Sequence, residues 1–427
     1  MERTGKFPEP LLARELEQGV EADRERRLLF ELVHGVLRWR GRLDHVLAAF
    51  SRLPLGKLDP AVLDILRLGA YQLLYLTKIP ARAAVDESVK LAGPKHVRGY
   101  VNAVLRAVAR EGRNVEFPDP RLEPVAYLAA YHSHPRWLAE RYLARFGLQE
   151  AEQLLAANNA LPPLTVRVNT LRISRPGLTQ RLEAEGVEAR PTRFSPEGLV
   201  LEGAGAPARL ESFRAGLFQV QDEAAQLVSR LLAPAEGQRV LDACAGRGGK
   251  TLHLAQLMAG SGEVLALDID RRKLTALSEA AGNFGATNVR VLAHDATRPL
   301  DAGSFDGVLL DAPCSGTGAV RRRVDLKWRK HPEDIPRLAA LQQEMLGAIS
   351  ASVAKGGVMV YAACSLEPEE GEETVAHFLE RHPEFSLEDA AEVLGEMSPG
   401  AGPYLLTYPH RHEGAMDGFF AARLKRG

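Results

Sequence analysis

Cysteine is scarce. The 427-residue chain has three, Cys244, Cys314 and Cys364. The number is odd, the spacings are wide and no Cys-x-x-Cys occurs, so a disulfide framework and a zinc site are disfavoured and no metal is expected. Long apolar runs are missing as well. Nothing approaches the ~18 consecutive apolar residues of a membrane span, so no membrane partner is expected. The leading segment MERTGKFPEPLLARELEQG carries acids and no apolar centre, unlike a secretory leader, and the expected location is the cytoplasm. A dominant charge is also absent: 54 basic residues face 55 acidic ones, for a net charge of −1. There is thus no global pull toward nucleic acid. Lysine is rare within the basic set, 11 residues against 43 arginines. Arginine suits bidentate phosphate contacts and base stacking, and GC-rich codon usage gives the same bias. Residues 1–140 hold 22 Lys and Arg against 18 Asp and Glu, a mild basic tilt.

What is present is ordinary globular material, 45% hydrophobic and 26% charged. At about 150 residues per domain the length suggests two or three domains. Residues 1–142 read as an all-helical domain, with amphipathic segments Asp23–Phe50, Asp59–Leu76, Arg82–Leu91, Val97–Ala109 and Pro135–Gly147. Residues 143–215 read as a small α+β module, RRM-like in plan: the strand LTVRV, a helix from Pro176, then two short strands. Such modules bind RNA or act as spacers. From 216 to 427, strands and helices alternate. Their apolar strands predict a Rossmann-like, doubly wound sheet covered on both faces, with its ligand at the carboxyl ends of the strands.

That rim is rich in chemistry. The strand QRVL runs into Asp242-Ala243-Cys244-Ala245-Gly246-Arg247-Gly248-Gly249-Lys250-Thr251. Glycines there let the backbone approach a ligand at a helix N-terminus. The spacing fits neither the dinucleotide fingerprint nor the nucleotide-triphosphate loop, which is longer between its first Gly and its Lys. Strand ends are also expected at Asp268, Asp295 and Asp311. A single Asp at such a place is usually a helix cap; four beside a Gly-rich turn suit a cationic, ribose-bearing cofactor. S-adenosylmethionine is that, with ribose hydroxyls for an acid such as Asp268.

Cys314, in Asp-Ala-Pro-Cys-Ser, and Cys364, in Ala-Ala-Cys-Ser, each follow a strand on the same rim. Two thiols, an acid and S-adenosylmethionine suit methylation of cytosine carbon 5. A thiolate adds to carbon 6, so that carbon 5 becomes nucleophilic. An acid such as Asp311, its carboxyl pKa raised, supplies a proton at ring nitrogen 3. A second thiol helps remove the carbon 5 proton. A free thiol is only a few per cent ionised at neutral pH, and Lys250 is the nearest cation to lower its pKa. The basic stretch Arg321, Arg322, Arg323, Lys327 and Arg329, around Asp325, is expected to meet RNA phosphates. Trp328 stacks on a base or packs, and Arg38, Arg40 and Arg42 are candidates for a second RNA surface.

The combination DACAGRGGKT, ALDID, LLDAPCSGTG, DLKW and YAACS resembles the RNA 5-methylcytosine methyltransferases related to Sun/RsmB. SHPRWL (133–138), RVN (167–169), VQDEAAQL (220–227) and DGFF (417–420) extend the likeness over nearly the whole chain, and ELVHGVLRWR with VNAVLR is similar to a NusB-like domain. The resemblance implies Cys364 as nucleophile and Cys314 in product release. It places the cofactor on Cys244, Ala245, Gly246, Arg247, Gly248, Gly249, Lys250, Asp268, Asp295 and Asp311, and it implies one cytosine of 16S rRNA as substrate. A monomer is expected, although the sequence does not give the oligomeric state. The family loop usually reads CAAPGGKT; here Gly246-Arg247 replaces Ala-Pro, and Arg247 is a candidate for the cofactor carboxylate or RNA. Ala363 stands where Thr is common, so that hydroxyl is not needed. Other readings are the same chemistry on tRNA, an amino-methyltransferase, a non-catalytic RNA-binding ribosome assembly factor and a nicotinamide enzyme. The amino-methyltransferases need an Asn/Asp-Pro-Pro-aromatic strand end where Asp-Ala-Pro-Cys stands. An assembly factor needs no rim thiols. The loop spacing argues against a nicotinamide enzyme.

Overall fold

A computed structural model describes residues 11–12 and 23–427. The leading segment read above as no secretory leader lies largely outside them. Among the described residues no helix is long and apolar enough to cross a membrane. The chain divides into two compact units, residues 1–160 with 320–332, and residues 161–319 with 333–427.

The first unit is helical. Helices α1 (Asp23–Phe50), α2 (Pro60–Tyr75), α3 (Ala81–Leu91) and α4 (Lys95–Glu111) occupy the segments the apolar periodicity marks. Leu43, Val46 and Leu47 of α1 meet Leu66 and Ala70 of α2 and Val101, Val104, Leu105 and Val108 of α4 in one buried core, the i, i+3, i+4 stripe of a core-facing helix. The Asp59 carboxylate accepts from Ala61 N–H at 2.8 Å to cap α2, with Pro60 in its first turn. Arg67 of α2 donates to both carboxylate oxygens of Asp44 at 2.7 and 2.8 Å. Two differences from the sequence reading follow. A short helix, α5 (Pro124–Tyr131), lies in a stretch without strong periodicity. The next span, α6 (Arg136–Asn159), is two helical stretches broken where the sequence reading ends its helix, at Gly147 with φ 75°; the second stretch was not read. The expected boundary at 142 therefore falls inside α6.

Residues 320–332 also fold into this unit, and they correct the expected RNA contacts. Lys327 and Arg321 are both 2% exposed. Lys327 Nζ donates to the Arg38 carbonyl at 2.9 Å and to Asn159 Oδ1 at 2.8 Å. Burial first, then the Arg38 charge, hold its pKa well below the usual lysine range. Trp328 packs: its Nε1 donates to the Leu37 carbonyl at 2.7 Å, with Arg40 over the ring at 5.3 Å. Arg42 lies over Tyr131 at 4.3 Å. Arg321 and Lys327 are thus structural anchors without access to a phosphate. Arg322 and Arg329 are half-buried, and Arg323 is exposed.

The second unit holds two sheets. The small one has order β2-β3-β1-β4: β1 (Leu164–Val168), β2 (Glu188–Pro191), β3 (Gly198–Glu202) and β4 (Phe218–Val220). Helix α7 (Arg175–Ala184) packs Leu178 and Leu182 on Val166, Val168 and Leu199. The strand β4 lies past the expected boundary at 215, because Val168 pairs with Phe218 and Val166 with Val220.

The large sheet has eight strands. Five are parallel: β5 (Arg239–Asp242), β6 (Glu263–Asp268), β7 (Val289–Ala293), β8 (Phe305–Asp311) and β9 (Val353–Ala363), in spatial order β7-β6-β5-β8-β9. Beyond β9 lies antiparallel β12 (Phe419–Arg426), which pairs with β10 (Phe385–Glu388) and β11 (Tyr404–Thr407). The sequence reading missed these last two, which are only four residues each. Alternate residues serve opposite faces. Val240, Leu309, Val360 and Ala362 pack with Leu227, Leu252 and Leu277; Leu241, Val308, Leu310, Met359 and Tyr361 pack with Leu346, Ile349 and Phe378. The first face takes helices α8 (Glu223–Leu232), α9 (Gly249–Leu257) and α10 (Arg271–Phe284); the second takes α11 (Asp334–Ser350) and α12 (Glu372–Arg381). Strand order reverses beside β5, between β6 on one side and β8 on the other, and such a switch point opens a crevice at the strand ends.

Candidate active site

The Gly-rich turn fills that crevice. Ala243 N–H bonds the Leu309 carbonyl at 2.8 Å and Ala245 N–H the Leu267 carbonyl at 2.7 Å, so both neighbouring strands hold the loop. Gly246 has φ 58° and donates its N–H to Asp268 Oδ2 at 3.0 Å. The left-handed backbone explains Gly where the family usually has Ala. Gly248 caps α9 at φ 88°, and a Cβ there would come within 2.1 Å of Leu277 Cδ1. Arg247 is exposed at the apex.

The acids divide by role. Asp268 Oδ1 accepts from Asp270 N–H at 2.8 Å. Oδ2 also meets Lys273 Nζ at 3.4 Å, so it is Oδ1, with one backbone donor, that keeps a further lone pair for a ribose hydroxyl. Asp295 lies two residues past β7, and its Oδ1 takes both the N–H and the hydroxyl of Thr297, at 3.1 and 2.8 Å. Those bonds hold its carboxyl below the usual range, and they are a turn cap, the ordinary role for Asp. Asp242 is buried; Thr251 donates to its Oδ2 at 2.7 Å, and its Oδ1 has no protein partner. Burial pushes this carboxyl up to about 6. Asp311 instead accepts from Lys250 Nζ at 2.7 Å. The raised carboxyl of this rim is that of Asp242; Asp311, 30% exposed, has an ammonium partner. Burial alone would lower the Lys250 pKa; the charge and hydrogen bond of Asp311 outweigh it and raise it. A glycine cradle, a ribose-ready carboxylate and an unfilled buried acceptor fit an adenosyl cofactor.

Cys314 and Cys364 meet. Asp311 at the end of β8 pairs with Ala362 of β9, which puts the two following loops side by side with Sγ atoms 3.2 Å apart. The thiol of Cys314 donates to Cys364, which lowers the Cys364 pKa; burial opposes this and Lys250 assists it. The same bond, then burial, raise Cys314. The pair favours ionisation of Cys364 over Cys314, and the neighbouring thiol does more for it than the lysine expected from the sequence. Cys244 is different: burial and the surrounding Asp carboxylates push its thiol far up, so it stays protonated.

Three features escaped the sequence reading. Arg167 of β1 is fully buried and donates to the Gly249 carbonyl at 2.8 Å, Gln219 Oε1 at 2.9 Å and Gln256 Oε1 at 3.3 Å. Burial lowers its pKa to about 9. It ties the small sheet to the first turn of α9. The signal was an arginine on the buried side of the apolar strand LTVRV. Glu370 is fully buried between the two cysteine loops. Its mark was the repeated dipeptide Cys-Ser at 314–315 and 364–365. Gly318 and Gly418 form the third: the Gly418 N–H bonds the Gly318 carbonyl at 2.9 Å, tying the SGTG and DGFF motifs together.

Comparison with known proteins agrees with this arrangement. The profile of the family described as 16S rRNA methyltransferase RsmB/F matches residues 229–425, that of the NusB family residues 1–110, and that of an RsmF/B-like, ferredoxin-like domain residues 134–207. The probable ribosomal RNA small subunit methyltransferase B of Bacillus subtilis is 35% identical, covering 100% of this chain and 96% of its own. The ribosomal RNA small subunit methyltransferase B of Pseudomonas putida is 40% identical over 94% of this chain and 91% of its own. Among solved structures, PH0851 aligns with TM-score 0.80 and 28% identity over 98% of this chain and 95% of that one. NSun6 from Pyrococcus horikoshii, solved with SFG, aligns with TM-score 0.61 and 25% identity over 68% and 98%. SFG is an analogue of S-adenosylmethionine, the cofactor of this methyltransferase family. With profile matches from end to end and relatives matched over nearly their whole length, the chain belongs to the RsmB/F family of 16S rRNA methyltransferases.

Proposed function

We propose that this protein forms 5-methylcytosine in small-subunit (16S) rRNA through a covalent adduct on Cys364. The observation that carries the reading is the thiol pair, with Cys314 Sγ 3.2 Å from Cys364 Sγ and the Lys250–Asp311 pair beside it. When bound, S-adenosylmethionine supplies the methyl group. Residues Cys244 through Lys250, together with Asp268, would hold it. The Cys364 thiolate adds to carbon 6 of cytosine, and the electron pair of the 5,6 double bond moves toward carbon 5 and ring nitrogen 3. Nitrogen 3 takes up a proton from water, and the Asp311 carboxylate, in contact with the Lys250 ammonium, accepts a hydrogen bond from the resulting N–H. Carbon 5, so activated, would take the methyl group from the sulfonium, leaving a neutral thioether. Once Cys364 is a thioether, the charge that raised the Cys314 pKa is gone. Cys314 loses its proton to water, accepts the carbon 5 proton, and the sulfur–carbon 6 bond breaks. A cytosine in a helix must first leave its stack, at a cost of roughly a few kcal/mol. Of the basic stretch, exposed Arg323 is assigned to phosphate contact.

The test incubates the protein with methyl-labelled S-adenosylmethionine and, separately, unmodified 16S rRNA, intact small subunits and bulk tRNA, then identifies the labelled nucleoside. Labelled 5-methylcytosine from the rRNA or the subunit supports the proposal; label in tRNA alone overturns the substrate. Cys314→Ala is expected to accumulate an enzyme–RNA adduct that survives a denaturing gel, and Cys364→Ala to form none. Adduct formation by Cys364→Ala would show that another residue is the nucleophile.

A further inference from the structure

We infer that Glu370 is a positioning residue that sets the separation of the two thiols; the inference rests on the proposed roles of Cys314 and Cys364 and adds a determinant of their geometry. Glu370 is fully buried. Its Oε1 accepts from the Ser315 N–H at 2.7 Å and from Gln342 Nε2 at 3.1 Å. Its Oε2 accepts from the Ser365 hydroxyl at 2.5 Å and from the Ser315 hydroxyl. Ser315 directly follows Cys314, and Ser365 directly follows Cys364. One carboxylate therefore grips the residue next to each thiol, from loops that leave different strands. The grip is itself held. Tyr361 donates its hydroxyl to the Glu370 carbonyl at 2.6 Å and to Gln342 Oε1 at 2.9 Å, and Gln342 Nε2 also donates to the Pro313 carbonyl at 3.0 Å. A helix cap cannot account for this set, because the donors come from three separate elements. A carboxylate accepts from all four donors at once; a carboxamide could keep the Ser315 N–H and Gln342 on its oxygen only by reversing both serine hydroxyls into acceptors, and it loses the charge. Charge-assisted bonds in a buried site are short and stiff. The Glu370 charge also contributes to raising Cys314, which keeps the release thiol protonated at rest.

The experiment reads thiol spacing directly, without RNA or cofactor. Phenylarsine oxide bridges two neighbouring thiols: two arsenic–sulfur bonds form, and the two thiol protons leave with the arsenic-bound oxygen as water. Wild-type protein should take up one equivalent; Cys314→Ala and Cys364→Ala should lose this capture. Glu370→Gln, with unchanged circular dichroism, should bind at least about tenfold more weakly, a change typical of a displaced chelating pair. The double variant Ser315→Ala/Ser365→Ala, which keeps the carboxylate and removes both hydroxyl arms, should show an intermediate loss and serves if Glu370→Gln does not fold. In turnover, kcat should fall while the KM for S-adenosylmethionine stays within about twofold. Capture within twofold of wild type in a folded Glu370→Gln protein, or in the double variant, would overturn the inference. Weakened capture together with a product other than 5-methylcytosine would support the positioning role and sink the proposed reaction instead.

Discussion

Asp242 shows what a single residue at this site costs the fold. A carboxyl pushed up to about 6 by burial binds its proton more tightly in the folded chain than in the unfolded one. Stability from this group is complete below about pH 4 and is lost as pH rises through about 6. At ~1.4 kcal/mol per pKa unit, the charged form costs on the order of 3 kcal/mol at neutral pH. Asp242→Asn keeps an oxygen for the Thr251 hydroxyl and removes the charge. Its melting temperature should exceed the wild-type value at pH 7.5, and the gap should close toward pH 4.5. A gap that does not change with pH would place the effect elsewhere. At this scale the sequence was legible where chemistry is carried by residue type at a strand end: Cys364, Cys314, Lys250 and Asp268 are where the rim was expected. It was not legible where the answer depends on a partner distant in the chain. Asp311 is paired through Lys250, 61 residues away, and Glu370 through Ser315, 55 residues away.

At the scale of elements, the two glycines that let loops touch are more constraining than the helices around them. A Cβ on Gly318 would lie 2.0 Å from the Gly418 carbonyl oxygen, which is backbone and cannot swing aside. Gly318→Ala should therefore separate the SGTG and DGFF segments, destabilise the protein by about 1–3 kcal/mol and lower turnover. Gly282, inside α10 with nothing within 4 Å of its added Cβ, is the contrast. Gly282→Ala should stabilise by roughly 0.5–1 kcal/mol through helix propensity. Chemical denaturation of the two variants beside wild type checks both signs at once; equal shifts would refute the packing account. Periodicity marked α1 to α4 and the five parallel strands because each has a long or continuous apolar pattern. It failed at β10 and β11, where four residues hold too little pattern. It also missed the helical stretch beyond Gly147, although the break at that glycine was read correctly.

At the scale of the whole molecule, the RsmB/F plan was legible through its motifs, whereas the course of residues 320–332 was not. A run of arginine and lysine reads as solvated or phosphate-bound, and here it is an anchoring strap: Val320, Val324 and Leu326 are buried along with Lys327. A variant lacking residues 1–160 should expose these side chains and self-associate. Replacing 320–332 in that variant with a short Gly-Ser link should restore a monodisperse species on size-exclusion chromatography with light scattering. If the first variant is already monodisperse, the strap does not need its bundle.

The strap also sets an order of events during synthesis. Most of the helical unit leaves the ribosome before the second unit does, yet its last piece lies beyond residue 319. Domains usually complete themselves in the order they are made. Here the nascent bundle waits, with the surface around Leu37, Arg38 and Asn159 uncovered, until β1 through β8 have emerged. The first domain begun is among the last to be finished, and closing it ties off a loop of more than 150 residues.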